Sequence, residues 1–236
     1  MGARDEKGLW IANVFALCIL LVPIILSTGC RSLGSGSPRE TAATFQIKKV
    51  VVVGFRPALA ATDTPRMVRS PLSGAVFAAE PVTKAVTDRL TELLFERLVR
   101  HERYELVTPD QARGAISNLV SKDRVLSEIE IYRRVGHMFS ADGVLIGYLY
   151  RWQERLGTAY AVRAAASVAF DLNLIHPADG RFLWKGRFDK TQRSLSEDLF
   201  DMDTFLRSKG HWLSAEELSG LGLDDFMKDL PEGKGT

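Results

Sequence analysis

From Val168 to Phe188 the chain reads VAFDLNLIHPADGRFLWKGRF, and this stretch decides the fold. Two runs in which apolar side chains recur at every second position flank the residues PADG at 177–180. Such alternation marks a strand with one buried face, and Pro, Asp and Gly between two such runs mark a reversal of the chain. The stretch therefore predicts an antiparallel hairpin.

Two registers of this hairpin remain open. A three-residue loop, 178–180, with Gly180 in the left-handed region places Asp171 opposite Arg187, whereas a slip of two residues places Asp171 opposite Lys185. In either register one face of the hairpin carries cross-strand charge pairs, which is typical of a solvated sheet surface. Asp171, Lys185 and Arg187 are therefore candidates for contact with a partner.

Three further strands are expected before the hairpin. Residues 144–152 alternate between two faces, and residues 104–107 predict a short strand. The four consecutive valines Val50–Val53 lie within 47–55, a β-branched run that predicts a strand buried on both faces. With the hairpin, these segments make a sheet of about five strands.

Helices are expected between and after the strands. Apolar residues recur at three- and four-residue spacing in 82–100, 109–119 and 125–138. Thr108 with Gln111 forms a capping box that opens the helix at 109–119, and capping boxes at Ser194 and Ser214 open two short helices after the hairpin. The fold class is thus α/β in the broad sense (α+β): a mixed sheet of about five strands with helices packed mainly on one face, and a C-terminal hairpin followed by two short helices.

The segment from Arg56 to Pro81 has no sustained period and contains several prolines, so it is a long connection, which is unusual inside a compact domain unless it is functional or mobile. Its exposed cations, Arg66 and Arg69, are candidates for partner binding. Trp152 and Trp212 lie near the ends of expected elements, which makes them candidates for exposed contacts, whereas strand-periodic aromatic residues are typical of a core.

The amino terminus has the pattern of an export signal: an apolar run, Leu9 to Leu26, is preceded by basic residues and followed by Ser, Thr, Gly and Cys30. The small residues before Cys30 resemble the lipobox of bacterial lipoproteins, which implies a diacylglyceryl group on that thiol and cleavage before it. An uncleaved membrane anchor is the alternative, because 18 apolar residues can just span a bilayer. Either reading places the globular part outside the cytoplasm.

This reading divides the chain into five segments. They are a lipoprotein signal peptide (1–29), a flexible tether (30–46), an α/β domain (47–190), a C-terminal helical extension (191–228) and a disordered tail (229–236). The resemblance to Gram-negative lipoproteins implies an outer-membrane location, lipid-anchored and facing the periplasm. No disulfide is expected within the exported part, because Cys18 lies in the apolar run.

Composition excludes several function classes. The 236 residues carry 31 basic and 29 acidic side chains, a formal charge of +2 that argues against a nucleic-acid partner. Neither a phosphate-binding loop nor a dinucleotide fingerprint, nucleophile elbow or zinc motif occurs in the sequence. The four histidines have no metal spacing, so neither a cofactor nor a metal site is predicted.

The segments 49–55, 104–107 and 140–147, the last reading SADGVLIG, resemble in order and sequence a superfamily of envelope lipoproteins. That superfamily includes the curli secretion-channel lipoprotein, the penicillin-binding-protein activator lipoproteins and the amino-terminal domain of the Tol β-propeller protein. The resemblance implies an α/β sandwich that acts in binding or assembly, and it implies no catalytic residues.

Three functions follow from these observations. The first is a non-enzymatic lipoprotein, held in the bilayer by acylated Cys30, that binds a protein partner in cell-envelope biogenesis. The second is a homo-oligomeric outer-membrane secretion channel resembling the curli pore, which requires additional membrane strands of about 9–11 residues. The third is an envelope hydrolase built around Asp171, His176 and Asp189, for which no activated nucleophile is evident.

Overall fold

The computed structural model describes residues 46–123, 125–193, 206–208 and 210–233. The lipid-attachment residue Cys30, the signal peptide and nearly all of the tether lie outside the described residues, as does the start of the helix expected from Ser194. In chain order the elements are β1 (Lys49–Pro57), β2 (Arg66–Arg69), β3 (Val76–Ala79), α1 (Lys84–His101), β4 (Glu105–Val107), α2 (Pro109–Lys122), α3 (Glu128–Met138), β5 (Gly143–Gln153), β6 (Leu156–Gly157), β7 (Val162–Ala164), β8 (Ser167–Ile175), β9 (Phe182–Thr191) and α4 (Ala215–Asp229).

The main sheet has five strands in the order β4-β1-β5-β8-β9. Strand β1 runs parallel to both β4 and β5, whereas β8 is antiparallel to β5 and β9. The predicted mixed sheet of an α+β fold is therefore confirmed. Residues 47–55 do supply an interior strand, since β1 lies between two neighbours and its valines are buried or half-buried.

The helices cover both faces of this sheet rather than mainly one. On the first face, Val50, Val52 and Phe170 pack in one core with residues of α1 and α4. On the second face, Val51 and Ile146 pack in another core with residues of α2 and α3. Two helices on each face explain why strand β1 is apolar at successive positions instead of alternate ones.

The hairpin of β8 and β9 has the first of the two expected registers. Asp171 pairs with Arg187, and Gly180 has φ of 74° in the turn. Within that turn the carboxylate of Asp179 accepts a hydrogen bond from the amide of Arg181 at 3.1 Å. The loop is thus fixed by local side-chain and glycine chemistry, which decides between the two registers that the sequence left open.

Strand β5 contains a bulge that the alternating pattern did not reveal. Leu149 pairs with Phe170 and Arg151 pairs with Ala169, so Tyr150 is an extra residue on β5. The extra residue shifts the phase of the strand. Trp152, expected on the face of Tyr150, therefore packs against the core of the first face.

The helix caps largely follow the sequence. The predicted boxes at Thr108 and Ser214 are both formed, and Ser127 caps α3, which begins three residues later than expected. The structure describes residues 229–233 of the segment predicted as a disordered tail, and part of this stretch packs against the fold. Leu230 is buried, because Arg103 donates to the carbonyl of Met227 at 2.8 Å and holds this end of the chain against β4.

The long connection between β1 and α1 is partly regular structure. Its strands β2 and β3 pair in an antiparallel hairpin that packs on the second face of the main sheet. Strands of four residues are too short for alternation to be recognised, which is why the sequence suggested an irregular segment. A second short hairpin, β6 with β7, follows β5 and was likewise not predicted.

Candidate functional site

The β2–β3 hairpin is fastened to the main sheet along strand β3. Phe77 is fully buried and stacks on Tyr150, with ring centroids 3.9 Å apart and planes 9° apart. Guanidinium groups from the sheet bind the backbone of β3, since Arg151 donates to the carbonyl of Ala78 at 3.0 Å and Arg187 to that of Val76 at 3.1 Å. The hairpin is therefore an integral layer of the fold.

A buried carboxylate ties the turn of this hairpin to the sheet. Oδ2 of Asp171 accepts hydrogen bonds from the hydroxyls of Ser70 at 2.6 Å, Ser73 at 2.8 Å and Tyr150 at 3.1 Å. Its Oδ1 accepts from the amide of Tyr148 at 3.2 Å. Burial, followed by the negative charge of Asp171, raises the pKa of Tyr150, so its hydroxyl remains a donor.

The prediction that Asp171 lies on a solvated surface and contacts a partner is wrong. Its side chain is fully buried, because residues of the β2–β3 hairpin cover this part of β8. Three hydroxyl groups and one amide donate hydrogen bonds to the carboxylate. Among the residues that the structure describes, none of these donors is a cation. Asp171 thus holds the hairpin in place rather than contacting a partner.

The outward side of the hairpin combines exposed apolar side chains with cations. Met67 is 65% exposed and Val76 is 40% exposed. Arg69 pairs with Val76 across the hairpin, and Arg187 lies alongside, with its guanidinium 4.6 Å from the ring of Phe77. We call Met67, Arg69, Val76 and Arg187 the outer patch. It brings together two of the predicted partner-binding residues, Arg69 and Arg187.

Two other predicted residues border the outer patch. Arg66 begins strand β2 and lies 3.8 Å from the carboxylate of Asp63. Lys185 is exposed on β9, two residues from Arg187 and on the same side of the strand, with its ammonium 3.9 Å from the ring centroid of Phe182. The cations on β2 and β9 therefore belong to neighbouring parts of one surface.

The two predicted tryptophans lie elsewhere. Trp152 is half-buried at the end of β5 and donates to Glu154 at 3.1 Å. Trp212 is also half-buried, and its amide donates to the carbonyl of Ala159 at 2.7 Å. Glu154 in turn accepts from the amide of Ala215 at 3.0 Å. These contacts give both tryptophans a place in the packing of α4 and the β6–β7 hairpin.

The residues of the hydrolase hypothesis are not assembled into a site. His176 contacts Asp179 in the β8–β9 turn at 2.9 Å, and Asp189 binds Arg151 at 2.7 Å. Asp171 and His176 are five residues apart along one extended strand, or about 16 Å. The described residues contain no group of three potential metal ligands. The geometry therefore offers no catalytic arrangement around Asp171.

The apolar half of the outer patch and the serines beneath it were not predicted. Met67 and Val76 were missed because their strands were not recognised, although Pro71 and Gly74 between them are typical of a tight turn. Ser70 and Ser73 flank that turn, and a serine on each side of Pro71 is a signal that could have indicated side-chain bonds within it.

Comparisons with known proteins give a likeness in structure only. Neither a family model nor a curated protein sequence matches the chain. The LpoB C-terminal domain from Salmonella enterica is 16% identical with a TM-score of 0.35, over 62% of this chain and 85% of that one. Lipoprotein GNA1162 from Neisseria meningitidis is 12% identical with a TM-score of 0.37, over 69% and 96%.

A third similar structure is a PelC dodecamer from Paraburkholderia phytofirmans. It is 10% identical with a TM-score of 0.40, over 80% of this chain and 90% of that one. Of these three proteins, GNA1162 is the one described as a lipoprotein. Among the described residues, no helix is long and apolar enough to cross a membrane.

Proposed function

We propose that this protein is a non-enzymatic lipoprotein of the cell envelope, anchored through acylated Cys30 in the outer membrane and facing the periplasm, that binds an envelope protein through its outer patch. The tether at 30–46 would hold the α/β domain at the membrane surface. Its role would be binding or assembly in envelope biogenesis.

The observation that carries the proposal is the construction of the outer patch. Exposed apolar side chains flanked by arginines are typical of interfaces, in which arginine is enriched and apolar residues form the centre. Arg187 is preorganised by Val76 and Phe77, so little conformational entropy is lost when it meets a partner. The buried Asp171 network beneath keeps the patch rigid.

Site-specific photocrosslinking in membranes tests the binding surface. A photoreactive amino acid replaces Met67 in the full chain, and the same replacement at Val99, which is 51% exposed on α1, is the matched control. We expect one discrete adduct from position 67 that disappears with the added substitution Arg69→Glu and none from position 99. Equal adducts at both positions, or none at 67, would contradict the proposal.

The same experiment distinguishes a homo-oligomer from a complex with a different envelope protein. An adduct at position 67 whose mass is a multiple of this chain would favour a homo-oligomer, such as a ring-forming channel. An adduct with a different polypeptide supports the envelope partner. The mass of the complex in detergent provides an independent check, since a channel subunit would elute as a multimer.

The anchor is tested separately by mass spectrometry of the amino terminus. Processing before Cys30 and a lipid mass on that residue are expected, together with loss of both in Cys30→Ser. An unprocessed amino terminus would instead support the uncleaved anchor.

A further inference from the structure

A cleft of about 400 Å³ opens at the carboxyl end of strand β1, between α1 and α2. Its volume lies within the range of ligand sites, roughly 300–1,000 Å³. Strands β4, β1 and β5 are parallel, and α1 packs on one face of the sheet while α2 packs on the other, so the two helices flank the sheet at this edge. In open α/β sheets this arrangement places a crevice outside the strand ends.

A bulge in β1 shapes the floor of the cleft. The pairing with β5 skips Val53, and Gly54 follows with φ of 85°. The amide of Phe55 then donates to the hydroxyl of Thr91 on α1 at 2.8 Å, which fixes the redirected strand. Val53 and Phe55, together with Ile116 from α2, give the cleft an apolar lining.

Three cations from three different elements border this lining: Arg56 from β1, Lys84 from α1 and Arg113 from α2. Their side chains are 52%, 70% and 58% exposed. Asp88 is the only carboxylate among the lining residues, so these residues carry a net positive charge. A partner with negative charge and apolar groups is complementary to such a surface.

Arg56 is held in position by a cluster outside the cleft. Its Nη1 donates to Glu128 at 3.0 Å and to the hydroxyl of Tyr132 at 3.2 Å. Tyr148 also donates to Glu128. Burial, followed by the neighbouring Tyr132 and Glu128, raises the pKa of Tyr148, so that its hydroxyl stays protonated. These bonds engage Nη1, and the guanidinium has further N–H donors that can bind a second carboxylate.

The cations form two separate poles. Asp88 contacts Lys84 at 2.5 Å and Arg113 at 3.9 Å, and the exposed Asp110 lies 3.6 Å from Arg113. Arg56, by contrast, is bound to Glu128. A ligand with a single charged head can engage one pole only. A chain with carboxylates on either side of an apolar group can engage both poles and fill the lining between them.

We propose that this cleft binds an acidic peptide segment of a partner protein, with an apolar side chain on Phe55 and Ile116 and carboxylates at Arg56 and at Lys84 with Arg113. The site is distinct from the outer patch, and its test does not require the patch to be functional. Asp88 competes for the second pole and so limits the affinity.

Fluorescence anisotropy with the full chain in a non-ionic detergent tests the proposal. The probe is a labelled, capped peptide of alternating aspartate and phenylalanine, and the comparison peptide has asparagine in place of aspartate. We expect the double substitution Lys84→Glu with Arg113→Glu to weaken binding of the acidic probe by about tenfold or more. Arg100→Glu, an exposed change on the same helix as Lys84, should alter it by less than about twofold.

A substitution that is expected to increase the affinity for the acidic probe controls for loss of binding through unfolding. Asp88→Asn removes the competing carboxylate, so the acidic probe should bind several-fold more tightly. Arg69→Glu in the outer patch should leave binding unchanged, which separates failure of this site from failure of the proposed function. The proposal would be overturned if the neutral peptide bound as tightly as the acidic one, or if Asp88→Asn had no effect. Binding of decanoate, an apolar chain with a single carboxylate, in place of the peptide would also overturn it.

Discussion

The hydroxyl of Ser70 donates a hydrogen bond to Oδ2 of Asp171 at 2.6 Å, across 101 positions of the chain. This contact joins the turn of the β2–β3 hairpin to an interior strand of the main sheet. Because the carboxylate is fully buried, its four donors replace the water that an exposed aspartate would have. A segment with no evident period in its sequence is thus built into the core through one charged residue.

The first prediction concerns this network. Asp171→Ala leaves the hydroxyls of Ser70, Ser73 and Tyr150 and the amide of Tyr148 without their acceptor, so the free energy of unfolding should fall by about 3 kcal/mol or more. Urea denaturation followed by circular dichroism measures the change. Glu105→Gln is the control, because its bridge to Lys49 is exposed and should be worth less than about 1 kcal/mol. Equal effects would mean that Asp171 does not hold the hairpin.

The second prediction is a pH dependence at the seam of α1 and α4. Arg89 donates two hydrogen bonds to the carboxylate of Glu216, from Nη2 to Oε1 at 2.7 Å and from Nε to Oε2 at 3.3 Å. These bonds lower the pKa of Glu216. Because the pKa of Glu216 is lower in the folded than in the unfolded chain, the ion pair stabilises the fold fully at pH values above the unfolded-state pKa of about 4.3. This stabilisation is lost as the pH falls through the pKa of the folded state. Acid therefore weakens the seam, and alkali does not.

Carbon-detected NMR titration of Glu216 measures this effect directly. We expect a pKa below the ordinary value in the native chain and a return towards that value in Arg89→Met. Arg100→Met, which changes another arginine on the same helix, should leave the titration of Glu216 where it is. If the pKa of Glu216 were the same in Arg89→Met as in the native chain, the ion pair would not be formed in solution.

Elements with strong local signals could be predicted from the sequence. The capping boxes at Thr108 and Ser214 formed as expected, and the hairpin turn containing Gly180 gave the first of the two expected registers. Each of these depends on residues close together in the chain. The burial of Asp171 could not be predicted in this way, because the covering hairpin comes from a distant segment and its strands have only four residues.

The candidate site was predicted in part for the same reason. The sequence predicts Arg69 as an exposed cation of the 56–81 segment and Arg187 as a member of the charged hairpin face, and the two lie close together in the fold. Trp152 was assigned to the wrong face, because the bulge at Tyr150 is not visible as a break in alternation. The cleft residues Arg56 and Arg113 are 57 positions apart in number, and only the parallel topology brings them together.

The third prediction concerns Asn173, a neighbour of Asp171 on β8. Its side-chain amide is fully buried, and neither its oxygen nor its nitrogen has a hydrogen-bond partner in the described part of the chain. Replacing an unsatisfied buried amide by an apolar side chain of similar size should stabilise the fold by about 1–3 kcal/mol. Urea denaturation of Asn173→Leu measures this gain. The control is Asn118→Leu, a change of an exposed residue on α2, which should alter the free energy of unfolding by less than about 0.5 kcal/mol. A loss of stability in Asn173→Leu would show that the amide is satisfied.

The fourth prediction compares two glycines. Gly54 has φ of 85°, and a Cβ there would lie 2.2 Å from Cγ2 of Thr91, so Gly54→Ala should destabilise the fold by more than about 2 kcal/mol. Gly114 lies inside α2, and apart from its chain neighbours and the backbone of its own helix no atom lies within 4 Å of an added Cβ, so Gly114→Ala should stabilise the fold by about 0.5–1 kcal/mol. Thermal unfolding of both variants checks the opposite signs. A tolerated alanine at position 54 would mean that the bulge beneath the cleft can relax, and that the cleft is not rigidly shaped by β1.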